Sequence, residues 1–215
     1  LSGLGSGFKN STFYASVGAL TAIFLASLAA YALTKLKVRG SFGIFMLTYS
    51  GTIFPFQLYL IPLFRLYNNF GIYDTRQGML LFYITICIPF CLFVLRNYFA
   101  TLPDEVVEAA RIDGASPLRV YWSIVLPMSY APLLVLFVFQ FTWIWNDLLF
   151  GLMLSKSDEV RPIMGSLMLL SGTFGTGSTP EIMGGALIAS IMPVIIFLCL
   201  QRYFMSGLKM TTAGE

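Results

Sequence analysis

The stretch QGMLLFYITICIPFCLFVL, residues 77–95, carries no charged side chain and is apolar all round. As a helix it is long enough to cross about 30 Å of hydrocarbon, and a helix satisfies its backbone polar groups internally, as lipid demands. Working outward, four further charge-free stretches occur at 10–34, 40–64, 120–146 and 182–201. They predict spans at 12–34, 41–64, 77–99, 121–149 and 182–204. The expected fold over a single domain, 1–215, is all-α: a polytopic membrane helix bundle with five transmembrane helices in this chain.

Composition agrees with that reading. The 215 residues are 57% apolar and 11% charged, against about 45–50% and about 25% in soluble domains. A net charge of +3 from 13 basic and 10 acidic residues cannot form the basic stripe that nucleic-acid binding requires. Histidine is absent, which removes the commonest general base and the usual zinc and haem ligands. Cys87 and Cys91 lie one helical turn apart and Cys199 is remote, a spacing that fits neither a disulfide framework nor a CxxC metal site. No metal and no cofactor are expected in this chain, and its class is not that of an enzyme.

Five spans place the two ends on opposite sides. Lys35, Lys37, Arg39, Arg96, Arg111, Arg119, Arg202 and Lys209 share one side, and Lys9, Arg65, Arg76, Lys156 and Arg161 the other. The excess marks the first side, with the C-terminus, as cytoplasmic. The Gly/Ser-rich residues 1–10 read as a truncated start, lacking the features of a signal peptide. The loop 151–181 is then external, and within it residues 163–170 read as a short helix at the membrane interface. Pro55, Pro62, Pro89, Pro132 and Pro193 fall in or near spans, where each removes a backbone donor and bends the helix.

The loop 101–120 is the longest hydrophilic helical pattern in the chain. Thr101 and Asp104 resemble a capping box, Pro103 suits a first turn, and Asp104 and Glu105 complement the helix dipole. Gly114 supplies a left-handed stop, so a helix is expected over 103–113. Ser116 then caps a second helix with Pro117 at its first position. Val106, Ala109, Ala110 and Asp113 share one low-profile face. So short a helix is marginal alone in water, and its acidic balance opposes an anionic lipid surface. A protein partner is expected.

The run Glu108-Ala109-Ala110-Arg111-Ile112-Asp113-Gly114-Ala115, continuing to Leu126-Pro127, closely resembles the EAA loop of permease subunits of binding-protein-dependent ATP-binding-cassette importers. Ala30-Tyr31-Ala32, Arg96-Asn97-Tyr98-Phe99, Trp145-Asn146-Asp147 and Gln201-Arg202-Tyr203-Phe204 are similar to the maltose-type carbohydrate subgroup. The resemblance implies a subunit of usually six helices, so that one helix would precede Leu1, in a bacterial cytoplasmic membrane. It implies three protein partners: a cytoplasmic ATPase dimer, which binds ATP and Mg²⁺, a second homologous permease, and an extracytoplasmic solute-binding protein. By match, Glu108, Ala109, Ala110, Asp113 and Gly114 would couple ATPase closure to alternating access. The tail, Lys209 to Glu215, departs from the small-residue ending common in the family.

No GxxxxGK[ST] loop occurs, so energy must come from a partner. A sugar pathway needs hydrogen-bonding groups and aromatic faces in the spans. Gln57, Tyr59, Gln140, Trp143 and Asn146 are the candidates. The resemblance implies a mono- or oligosaccharide as cargo, with glycerol phosphate or another polar solute as the alternative. A secondary carrier using Asp147, the acid nearest a span interior, is the rival class. It has no need of the 101–120 loop, and the inverted repeats typical of such carriers are not visible.

Overall fold

The computed structural model describes residues 2–36, 38–171 and 177–212. Lys37, part of the loop 172–180 and the last three residues of the tail lie outside the described residues. Among the described residues, eleven α-helices follow in chain order. The first four are α1 (Ser2–Thr34), α2 (Ser41–Ser50), α3 (Leu60–Asn69) and α4 (Arg76–Thr101). The 101–120 region holds α5 (Asp104–Ile112) and α6 (Pro117–Val120), and α7 (Leu126–Met128) follows. The rest are α8 (Tyr130–Trp145), α9 (Leu149–Leu154), α10 (Ile163–Ser171) and α11 (Thr179–Thr212). A 3₁₀ turn, Phe56–Tyr59, leads into α3, and a π-turn, Tyr121–Val125, joins α6 to α7.

Three helices among the described residues are long and apolar enough to cross a membrane, at 3–34, 76–101 and 179–199, or four if the bent pair 117–128 and 130–145 is one span. The expected single span 41–64 is instead broken. Pro55 has no N–H to offer the Gly51 carbonyl four residues back, and Tyr59 OH donates to that carbonyl instead, at 3.0 Å. The chain turns there and restarts at Phe56. The expected span 121–149 is likewise bent by 75° at Ser129. Pro132 leaves the Met128 carbonyl without its helical donor, and Tyr98 OH fills the place at 2.9 Å.

Helix α1 is the spine of the bundle and begins at Ser2, ten residues before the expected span 12–34, so that it includes the Gly/Ser-rich start. Close packing explains the glycine there: a Cβ on Gly7 would meet Ser166 Oγ at 2.7 Å and the Ile163 Cα at 3.1 Å. The expected short helix at 163–170 is present as α10, packed on the N-terminal half of α1. Ser11 Oγ accepts from Ile163 N at 2.8 Å, Asn10 Nδ2 donates to the carbonyls of Asp158 and Arg161, and Tyr14 OH donates to the Val160 carbonyl at 3.0 Å.

Two apolar clusters fill the bundle. One, around Tyr14, Tyr83, Phe141 and Trp145, lies toward the N-terminal ends of α1 and α4; the other, around Tyr31, Leu95, Phe99 and Tyr121, lies toward their C-terminal ends. Helix α2 rides on α4 through stacked Phe45, Tyr49 and Phe93 rings, with the Arg96 guanidinium 4.5 Å over Phe45. The C-terminal ends of α1 and α4 therefore meet at the 101–120 segment, while their N-terminal ends meet the 156–161 loop.

Candidate functional site

The 101–120 segment is a knuckle of two short helices. Helix α5 starts at Asp104 after Pro103, which makes no side-chain cap. The expected capping role of Thr101 is not observed: α4 continues through Thr101, whose hydroxyl bonds back to the Tyr98 carbonyl at 2.7 Å. Gly114 makes the predicted left-handed turn with φ of 82°. Ser116 caps α6 by accepting from Arg119 N at 3.3 Å. The corner is closed by Ala115 N, which donates to the Ala110 carbonyl at 3.0 Å.

Lys35 is the post on which the knuckle is mounted. Its side chain is 3% exposed; Nζ donates to Asp104 Oδ1 and to the Leu102 carbonyl, each at 2.6 Å. Arg111 Nη2 donates to the Lys35 carbonyl at 2.9 Å, and Tyr31 OH to the Pro117 carbonyl at 3.0 Å. Deeper still, Ser27 Oγ and Tyr121 OH lie 2.7 Å apart. Both arms of the knuckle are thus bonded to the last turns of α1. Sequence reading counted Lys35 only as one of a basic cluster; nothing local distinguishes it from Lys37 or Arg39.

The face of α5 also differs from the expected one. Val107 is buried and Ala110 half-buried against the inner cluster, while Val106, Glu108, Ala109, Asp113 and Gly114 are exposed. The outward surface gains two residues that sequence reading did not select: Ile112, 86% exposed, and Leu118, 64% exposed. Both stand beside the charged residues of α5 and α6 on the exposed face. The five predicted residues sit together on one compact element, with Ala110 forming its inner support.

A second site lies between the broken α2–α3 segment and α8. Thr52, Phe56, Phe139, Gln140 and Trp143 line a cleft of about 250 Å³. Phe56, Gln57, Phe139, Thr142, Trp143, Asn146 and Asp147 line a second, of about 600 Å³. The two share Phe56, Phe139 and Trp143, with the Phe56 and Trp143 rings edge to face at 6.1 Å. Gln57, Gln140, Trp143 and Asn146 are therefore brought together. Tyr59 lines the adjoining α3–α4 groove, which shares Thr52, Phe56 and Ile86 with the first cleft, and its hydroxyl is spent on Gly51. Phe56 and Phe139 were missed, because aromatic residues recur throughout the spans and only the break at Pro55 turns these two toward one space.

The remaining acid near the cleft is a structural cap. Asp147 accepts from Tyr83 OH at 2.9 Å, Gly151 N at 2.9 Å and Phe150 N at 3.3 Å, so it starts α9. Its neighbour Trp145 donates Nε1 to the Ala189 carbonyl of α11 at 2.9 Å. The Trp145-Asn146-Asp147 run therefore ties α8 to α4, α9 and α11.

A family model described as "Binding-protein-dependent transport system inner membrane component" matches residues 19–209. The chain belongs to this family. It is 36% identical to the alpha-glucoside transport system permease protein AglG of Rhizobium meliloti (strain 1021), over 96% of this chain and 56% of that protein. It is also 36% identical to the osmoprotective compounds uptake permease protein GgtD of Synechocystis sp., over 96% of this chain and 70% of that one. The chain thus spans little more than half of the first relative's length. Among solved structures, it matches a bacterial ABC transporter involved in the import of the acidic polysaccharide alginate, with a TM-score of 0.79 and 27% identity over 95% of this chain and 76% of the other. Among the described residues the fold is helical and matches that of an ABC-transporter permease, and the family is one of multi-pass inner-membrane transport components.

Proposed function

We propose that this chain is the permease subunit of an ATP-binding-cassette importer for a sugar, mono- or oligosaccharide, delivered by an external solute-binding protein. A second homologous permease completes the pathway. A cytoplasmic ATPase dimer, holding ATP and Mg²⁺, grips the knuckle through Glu108, Ala109, Asp113 and Gly114, with Ala110 packed beneath. The C-terminus and the knuckle lie on the cytoplasmic side.

The observation that supports this reading is the Lys35 mounting. A force applied at the exposed face of α5 passes to α1 through the Lys35, Tyr31 and Arg111 bonds and to α4 and α8 through the chain itself. Two rigid states of such a bundle, each favoured by one nucleotide or solute state of its partners, give alternating access. The cleft around Gln57, Gln140, Trp143 and Asn146 suits a polyhydroxyl solute, offering amides for hydroxyls and ring faces for sugar carbons.

Copurification is the test. A tagged chain taken from its host membrane in mild detergent should bring down an ATPase, a second permease and a binding protein. Recovery without an ATPase would overturn the reading. The relative named for osmoprotective compounds favours a second cargo class, a small polar solute. Thermal-shift screening of the recovered binding protein against sugars and polyol phosphates separates the two.

A further inference from the structure

At the end of the bundle opposite the knuckle, a trough between α1 and α4 changes chemical character along its length. Its outermost part is lined by Gly5, Ser6, Asp158 and Glu159. Its waist is formed by Lys9, Asn10 and Arg76, which line both halves of the trough, and its inner part by Phe13, Gln77 and Leu80. The two halves have volumes of about 580 and 390 Å³. From Gly5 to Phe13 the α-helical rise is about 12 Å. Over that length the order from the mouth inward is carboxylates, cations, then the Phe13 and Leu80 side chains beside the Gln77 amide.

The charges are available. Lys9 is exposed and makes no ion pair among the described residues, and the Glu159 side chain is exposed at the mouth. Asp158 is bonded to Arg161. Arg76 is held in place by Nε, which donates to the Glu159 carbonyl at 3.1 Å, and it lines both halves of the trough. Asn10 is buried and fixed by its bonds to the 158–161 loop, so the floor of the waist is rigid.

We infer that this trough binds a zwitterionic aminophospholipid. The phosphate sits between Lys9 and Arg76, the ammonium reaches outward to Glu159, and the first methylenes of the acyl chains lie on Phe13 and Leu80. The headgroup of such a lipid carries its charges in the same order as the trough, amine outermost and phosphate next to the glycerol. An anionic lipid matches the cations but meets Glu159 without a counter-charge. A choline headgroup has no N–H to donate to that carboxylate. A water-soluble partner leaves Phe13 and Leu80 uncovered.

The full chain, with any subunits that copurify, is stripped of lipid and titrated with dioleoyl phosphatidylethanolamine, phosphatidylcholine or phosphatidylglycerol in detergent micelles. Bound lipid is counted by native mass spectrometry. Phosphatidylethanolamine should be retained about threefold over each of the others, the scale of one exposed ion pair. Glu159→Gln should abolish its advantage over phosphatidylglycerol. Lys9→Ala, or Lys9→Gln as a second cation-deleting variant, should weaken all three by about fivefold, the scale of one interfacial cation. Equal retention of the three lipids, a preference for phosphatidylglycerol in the unaltered chain, or unchanged binding in correctly folded variants would overturn the assignment.

Discussion

Lys35 Nζ lies 2.6 Å from Asp104 Oδ1, across a sequence separation of 69 residues. The contact joins the last turn of one membrane helix to the first turn of the helix that would meet the ATPase. A buried ammonium is costly unless paired and hydrogen-bonded. Here the cost is offset by the carboxylate together with the Leu102 carbonyl, and the result is a fixed angle between α1 and the knuckle.

Lys35→Met should therefore loosen the knuckle without unfolding the bundle. The loss of charge-assisted bonds predicts a destabilisation of about 1–3 kcal/mol, read as a lower thermal midpoint and faster proteolysis within 103–119. Uptake should fall. Unchanged proteolysis would show that the Tyr31 and Arg111 bonds suffice to hold the knuckle.

At Gly114 the constraint is the backbone angle alone, since a Cβ there would meet nothing within 4 Å. Gly114→Val should cost about 1–2 kcal/mol and lower both ATPase recovery and uptake, with membrane insertion intact. Gly114→Asn should be tolerated, because Asn adopts left-handed backbone more readily. Equal behaviour of the two variants in a pull-down assay would remove φ as the cause.

Glu108 is exposed and forms no ion pair among the described residues. Glu108→Lys should leave the unfolding free energy within about 0.5 kcal/mol of the parent, yet reduce ATPase copurification and uptake. A stability change larger than that would assign Glu108 to the fold instead.

The cleft gives a differential test. Gln140→Leu and Trp143→Ala should lower solute-stimulated ATP hydrolysis in the reconstituted complex, whereas Tyr59→Ala should act through helix geometry and appear first as a stability loss of about 1 kcal/mol. Identical transport defects in all three, at unchanged stability, would place Tyr59 on the pathway.

Asp74 carries a pH dependence outside the membrane spans. Burial pushes its carboxyl upward, but the Lys156 and Ser157 N–H groups, the Ser157 hydroxyl and the Arg161 charge together hold it below the ordinary carboxylate range. Its bonds to Lys156 N at 2.7 Å and to Ser157 N at 3.0 Å close the α3–α4 loop onto the 156–157 turn. A lowered folded value means that this contribution is fully present above the unfolded value of about 3.9 and is lost as pH falls through the folded one. Melting curves on the acid side of pH 5 should show the loss, and Asp74→Asn should flatten it.

What the sequence determined by itself was whatever depends on near neighbours. Charge-free runs mark lipid-crossing helices because hydrophobic transfer and backbone satisfaction add up residue by residue. The knuckle was legible for the same reason: Gly114, Ser116 and Pro117 act on backbone groups within four residues of themselves. Tertiary structure decided the rest. Lys35 became a buried mount and not a loop charge because Asp104 and Leu102 are brought to it by packing. Pro55 broke a span because Tyr59 stood ready to take the freed carbonyl, and Thr101 bonded backward because α4 ran one turn further than its cap signal. Gln57 and Asn146 share a cleft only because that break faces α8. Such outcomes turn on which distant group reaches a donor, an acceptor or a space first, and no local pattern records that competition.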